Sequence, residues 1–321
     1  MQILIVTHAP RGSTKGNRIT ADRWARFLTQ AGHSTRIENG LVEGQFDRLL
    51  ALHATHSSDA IARFQQVFPD RPVILCLTGT DLHRDLQGKR GEQAKRIAAD
   101  SIRRCSKLVL LEPEGIRHLP SEAVTKAHVV LQSAVAVSKE LRTASSTGAT
   151  DLCVIGHLRD EKDPFLAARA SRRLPANSRI RITHIGAALN PEIGDAAREQ
   201  MRTAHRYQWI GPFSHAQTQQ RLASSNAMLL TSKIEGAPSV ISEAVVNSVP
   251  ILCTRIPATI GLLGSDYRGM FAVGDEVALA SDMSRLENDA SFALELTVAV
   301  KALAFKFQPA VEQAALENLI R

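Results

Sequence analysis

Aromatic residues are scarce: Phe, Trp and Tyr make up only 4% of the 321 residues. That composition argues against the stacking platforms on which proteins hold single-stranded nucleic acid. Cysteine is scarcer still. Cys76, Cys105, Cys153 and Cys253 stand far apart, and no pair has Cys-x-x-Cys spacing, which argues against a disulfide scaffold or a zinc ribbon. Three of them sit in the apolar runs VILCLT, DLCVIG and PILCT, where a thiol behaves as a small buried hydrophobe. Reduced, structural cysteines fit a cytoplasmic protein. No apolar run approaches the ~20 residues that span a bilayer. The start, MQILIVTHAP, lacks the basic segment of a signal peptide and reads as a first strand. No Asp-x-Asp stands beside a strand end. The nearest acidic clusters, Asp160–Asp163 and Glu43–Asp47, lack that form, so no essential divalent metal is expected.

What remains is an ordinary soluble composition, 44% apolar and 22% charged. At roughly 150 residues per domain, 321 residues make about two domains. Lys and Arg number 39 against 32 Asp and Glu, a surplus of +7 that suggests an anionic partner without naming it. Basic pairs such as Arg103–Arg104 and Arg172–Arg173 form no stripe, so nucleic acid is not the expected partner.

Short apolar runs alternate with amphipathic stretches. Strands are predicted at Gln2–Thr7, Leu49–His53, Val73–Leu77, Leu108–Leu111 and His128–Leu131, with helices at about Ile19–Ala31, Asp59–Phe68 and Glu92–Arg104 between them. Continuous Val, Ile and Leu runs belong to strands buried on both faces, as in parallel sheets. The small polar segment Thr143–Thr150 reads as a linker, after which the pattern restarts. Strands are predicted at Leu152–Ile155, Ile180–Ile185, Gln208–Ile210, Met228–Thr231 and Ile251–Thr254, and a helical tail over Glu295–Phe307 and Pro309–Ile320. The expected fold class is α/β, with two Rossmann-like, doubly wound parallel-sheet domains at 1–142 and 151–305 facing across a cleft. The C-terminal helix, about 306–321, is expected to pack back on the first. Ligands of such sheets bind at the carboxyl ends of strands.

The sharpest local signal is Glu235-Gly-Ala-Pro-Ser-Val-Ile-Ser-Glu243. Gly236 and Pro238 mark a turn after a strand, and a helix should start near Ser239. Amides at such a start hold anions, and the flanking carboxylates can accept hydrogen bonds from sugar hydroxyls. Alone, the same spacing also describes two solvated glutamates on an amphipathic helix. The second half opens with Cys153-Val-Ile-Gly-His-Leu-Arg-Asp-Glu-Lys-Asp-Pro164, in which His157, Arg159 and Lys162 follow a strand-end glycine. That suits a phosphate approaching the backbone and meeting cations. In the first half, Ala9-Pro-Arg-Gly-Ser-Thr-Lys-Gly-Asn-Arg18 places Arg11, Lys15 and Arg18 in a glycine-containing loop, which reads as an anion cradle or as a flexible basic loop. His53 ends a strand in LHATH, and Thr78-Gly-Thr-Asp-Leu82 forms another strand-end loop.

Taken together, the second-half motifs resemble the retaining GT-B glycosyltransferases of the glycogen-synthase-like class (family 4). The resemblance implies that Lys162 and a neighbouring base, His157 or Arg159, bind a donor diphosphate. It also implies that Glu243 binds the ribose, and that Glu235 with Gly236 and Ala237 holds the sugar. Ser239, Val240 and Gly12 complete the implied nucleotide-sugar set. The family usually has Arg directly after the glycine, where this chain has His157, so the phosphate-binding base is left open.

Further strings narrow the likeness: HAPRGSTKGNRITADRWA, LHA, LTGTDLxRDL, LQSAV, GHLRxxKDP and THIGAAL. This set resembles the selenosugar synthases of selenoneine biosynthesis, which join a UDP-sugar, typically UDP-N-acetylglucosamine, to selenium from selenophosphate. By that resemblance Arg11, Lys15, Asn17, Arg18, Thr78, Thr80, Gln132 and Ser133 bind the acceptor. His53 and Glu235 are the catalytic candidates, and no cofactor is needed beyond the UDP-sugar donor. An ordinary hydroxyl acceptor is the alternative, and a sugar-nucleotide epimerase would share the nucleotide site.

Overall fold

The computed structural model describes residues 1–13, 16–40, 43–142 and 148–321. They form two compact units, one of Met1–Gln132 with Pro309–Arg321, the other of Ser133–Gln308. No helix among the described residues is long and apolar enough to cross a membrane.

The first unit holds a six-stranded sheet of β1 (Gln2–Val6), β2 (Ser34–Glu38), β3 (Arg48–Leu52), β4 (Val73–Leu77), β5 (Lys107–Leu110) and β6 (Ala127–Val129). Its order is β2-β1-β3-β4-β5-β6, and every pairing is parallel. The runs LLAL and VILCL are buried throughout, because helices cover both faces of a parallel sheet. Strand β2 was not anticipated. Its sequence STRIE is polar and half-exposed, as suits an edge strand with β1 as its neighbour. The helix Gly16–Gln30 begins three residues before the predicted start and buries Trp24, Phe27 and Leu28. It stops where Gly32 takes φ +85°, a left-handed conformation open to glycine.

The chain returns to this unit at Pro309. The helix Pro309–Ile320 lays Glu312 against the helix Gly16–Gln30. The buried Glu312 carboxylate accepts from Trp24 Nε1 at 2.7 Å and from Arg23 Nε at 3.2 Å.

The second unit's sheet comprises β7 (Thr150–Ile155), β8 (Ile180–Ile185), β9 (Tyr207–Trp209), β10 (Ala227–Leu230), β11 (Ile251–Thr254) and β12 (Met270–Phe271). Its order is β12-β11-β10-β7-β8-β9, again parallel throughout. The two-residue β12 and the helices Pro257–Leu263 and Glu276–Asn288 were not anticipated. The tail helix occupies Ala290–Leu303 and tightens into a single turn over Ala304–Phe307.

Domain limits at 142 and 305 need correction: the first unit stops at Gln132, and the second runs from Ser133 to Gln308. The backbone explains the shift. The Ala134 amide donates to Phe307 O at 3.0 Å, the Val137 amide to Asn247 Oδ1 at 2.9 Å, and Arg142 Nη1 to Asn247 O at 3.1 Å. Residues 143–147 of the expected linker lie outside the described residues.

Each sheet reverses its order once, between β1 and β3 and between β7 and β10. Loops leaving the carboxyl ends of strands diverge at such a point and open a crevice.

Candidate active site

In the second unit the reversal brings together two loops far apart in sequence, Gly156–Asp163 after β7 and Thr231–Pro238 after β10. Lys162 Nζ forms an ion pair with Glu235 Oε1, and Ser232 Oγ donates to the same oxygen at 2.6 Å. Both side chains are largely buried, 20% exposed for Lys162 and 11% for Glu235. The loops are stitched together by backbone. Thr231 Oγ1 donates to the carbonyls of Lys162 at 2.8 Å and Asp163 at 3.0 Å, and the Lys233 amide donates to Glu161 O at 2.8 Å. Asp163 sits at φ +39°, a left-handed turn after the single helical turn Asp160–Lys162.

His157 accepts at Nδ1 from the Ala187 amide at 3.1 Å. Its pKa is lowered by partial burial and then by the nearby charges of Arg159 and Lys162. The ring is therefore neutral near pH 7, with its proton on Nε2 as a donor. Arg159 is exposed.

Behind this loop, the buried His184 donates from Nε2 to Gly156 O at 3.0 Å and accepts at Nδ1 from the Tyr207 hydroxyl at 2.8 Å. Burial lowers its pKa to about 4. It is a neutral strut for the strand-end glycine. Gly186 lies so close that a Cβ built on it would stand 1.9 Å from Gly156 O. Gly186→Ala is expected to push the Gly156 loop away and destabilise the unit by at least ~3 kcal/mol. In a thermal melt that is a fall of roughly 10 °C; a change under 2 °C would refute it.

The helix Ser239–Val246 follows Gly236, Ala237 and Pro238, and no side chain caps its start. Ser239 is exposed there, whereas the Val240 side chain is buried, so Val240 has only its amide to offer at the surface. One turn on, Glu243 Oε1 faces His215 Nε2 at 3.4 Å, and this hydrogen bond raises the His215 pKa. The structure thus gathers His157, Arg159, Lys162, Glu235 and Glu243 in one unit. Gly12 lies in the other, at φ +80° in an exposed turn.

In the first unit, His53 closes β3 with φ +80°, rare for a residue with a side chain and a form of strain that collects at functional sites. Its ring accepts at Nδ1 from the His56 amide at 3.3 Å and meets Thr80 Oγ1 through Nε2 at 2.9 Å. The rings of His8, His53 and His56 cluster with centroids 4.2–5.6 Å apart, His8 edge-on to His53 and both tilted against His56. Beneath them Asp81, wholly buried, accepts from four amides. Oδ1 takes Thr78 at 2.9 Å, Gly79 at 2.9 Å and Leu82 at 3.1 Å, while Oδ2 takes Ala54 at 2.9 Å.

The expected acceptor residues are partly committed elsewhere. The buried Arg18 holds Asp22 from Nε at 3.0 and 3.1 Å. Gln132 donates to Thr20 Oγ1 at 2.6 Å. Ser133 is buried and falls within the second unit. Arg11 is exposed, Asn17 and Thr78 are half-buried, and Lys15 lies outside the described residues.

All four cysteines are free and buried. Burial raises the thiol pKa of Cys105 and Cys153 to about 11 and of Cys253 to about 12, and holds that of Cys76 well above the ordinary thiol value. Their thiols stay protonated and unreactive. Among the described residues no group of three or more His, Cys, Asp or Glu is arranged to hold a metal ion.

The sequence profile of the glycosyl transferases group 1 matches residues 139–301, half of the chain. The chain belongs to this family. No curated protein matches it. Among solved structures, this group 1 glycosyl transferase is similar to Anabaena HepE crystallised with UDP and glucose (14% identity, 99% of this chain and 98% of HepE, TM-score 0.75). It is also similar to a sucrose-phosphate synthase from Thermosynechococcus elongatus (12%, 99% and 97%, TM-score 0.77). A glycosyltransferase from Rickettsia africae is similar as well (12%, 100% and 98%, TM-score 0.73). The two parallel α/β units are thus those of the GT-B fold.

Sequence reasoning missed Asp81, the imidazole cluster, the Ser232 contact and the His184 strut of this glycosyl transferase. His8, His56 and His184 carried one faint signal, each standing within four residues of a strand end in a chain with only 11 histidines.

Proposed function

We propose that the chain is a cytoplasmic glycosyltransferase that moves the sugar of a UDP-sugar, such as UDP-N-acetylglucosamine, to selenium supplied as selenophosphate. The observation that carries the donor half is the Lys162–Glu235 pair at the sheet reversal, with His157 and an uncapped helix start in the same unit. HepE, of the same fold, has been crystallised with UDP-glucose. Lys162, the His157 Nε2–H and Arg159 would meet the diphosphate, and the amides of Ser239 and Val240 would add neutral donors. Glu243 would take the ribose hydroxyls, and Glu235 with Gly236 and Ala237 the sugar.

The acceptor half rests on the motifs of the first unit. Arg11, Lys15, Asn17 and Arg18 would supply charge and hydrogen bonds, and Thr78, Thr80 and Gln132 the remaining polar contacts, for a small multiply charged anion. His53, held by Thr80, would orient it. A selenium lone pair attacks C1 of the sugar as the C1–O bond to the diphosphate breaks and UDP leaves. Water then cleaves the Se–P bond, giving phosphate and the selenosugar. Selenium is nucleophilic enough to need no general base.

The test is incubation of the pure protein with UDP-N-acetylglucosamine and selenophosphate, followed by mass spectrometry. UDP and a selenium-containing sugar are expected in equal amounts and undiminished by EDTA, since side chains and amides carry the leaving-group charge. UDP release with hydroxyl acceptors and none with selenophosphate would overturn the acceptor. Loss in EDTA restored by Mg²⁺ would overturn the metal-free reading.

A further inference from the structure

We infer that Glu235 and the donor diphosphate compete for one ammonium, that of Lys162, and that this competition makes the site favour intact UDP-sugar and expel UDP. The inference rests on the donor site just proposed. Lys162 and Glu235 satisfy each other directly, and Ser232 Oγ adds a neutral hydrogen bond at 2.6 Å to the same carboxylate oxygen. Thr231 pins the Lys162 carbonyl, so the ammonium swings from an anchored backbone.

A diphosphate at this loop draws Lys162 toward itself, because a compact ammonium is a point charge that follows the stronger anion. Glu235 is then left largely buried, with the Ser232 hydroxyl as its partner and no cation. An uncompensated buried carboxylate is costly. Sugar hydroxyls restore what it has lost by donating to it, so the intact donor satisfies both groups. UDP satisfies only Lys162. Once the sugar has been transferred, Glu235 recaptures the ammonium and the diphosphate loses its partner. The carboxylate thus ties sugar recognition to release of the nucleotide.

The test is calorimetric binding of UDP to wild type, Glu235→Gln and Glu235→Ala. The Gln variant keeps the shape and the acceptor for Ser232, while the Ala variant removes the group. Each frees Lys162 for the diphosphate. Both are expected to bind UDP about tenfold more tightly than wild type and to show correspondingly stronger product inhibition, although turnover falls. Tightening in either variant with a wild-type melting temperature supports the inference. Unchanged or weaker UDP binding in both overturns it. Wild type that binds neither UDP nor UDP-sugar at millimolar concentration overturns the donor site itself, a different failure.

Discussion

Lys162→Ala is expected to lower kcat/KM for the proposed UDP-sugar donor by two to three orders of magnitude. A single preorganised donor aimed at charge that develops in a transition state contributes about 10²- to 10³-fold. In the proposed reaction that charge appears on the departing diphosphate. Lys162 is the cation in this loop whose position is set by surrounding structure, since its carbonyl is held by Thr231 and its ammonium by Glu235. Arg159 is solvent-exposed and can replace little of that contribution. The substitution also leaves the Glu235 carboxylate beside the diphosphate with no cation between them, which adds repulsion.

Thr231→Val separates charge from position. It keeps the ammonium but frees the carbonyls of Lys162 and Asp163, and roughly a tenfold loss is expected, as for a misplaced catalytic group. Steady-state rates of UDP release give both numbers. Loss under fivefold for Lys162→Ala would remove it from leaving-group stabilisation.

The second large effect is expected at Asp81, in a different unit and by a different mechanism. Asp81→Ala should destabilise the first unit by about 4 kcal/mol or more, since three buried amides and the half-buried Thr78 amide lose their acceptor at roughly 1–3 kcal/mol each. Asp81→Asn is the sharper experiment. With its amide oxygen in the place of Oδ1, the bonds from Thr78, Gly79 and Leu82 survive. Its NH₂ then faces the Ala54 amide, where two donors meet and nothing accepts. The β4 loop stays and the His53 end of β3 loosens.

The expected result for Asp81→Asn is a urea midpoint only modestly lowered, with activity falling as far as in His53→Ala. The double variant should be no worse than His53→Ala alone, because both changes remove the same contribution. If Asp81→Asn lost stability without losing activity, Asp81 would be a fold residue and nothing more.

These sites differ in how visible they are in sequence. Strands β3 and β4 announce themselves: LLAL and VILCL are apolar without alternation because helices bury both faces. Strand β2 does not, since an edge strand keeps polar, half-exposed residues. Glu235, Glu243 and Lys162 were identifiable by type and by their place after strands. Asp81 was one aspartate among many, and its importance lies in amides from two loops that no spacing rule connects.

Residue order alone determined that there are two parallel α/β units, that Gly32 ends the first helix, and which loops leave the carboxyl ends of strands. These are local consequences of burial and backbone freedom. The tertiary structure decided the rest. Strand order β10-β7-β8 sets Lys162 against Glu235, 73 positions apart, and puts Gly186 against the Gly156 carbonyl. Hydrogen bonds from 133–142 to Asn247 and Phe307 hand that segment to the second unit. Sheet order and domain ownership are set by which distant surfaces bury one another, and no window along the chain contains both partners.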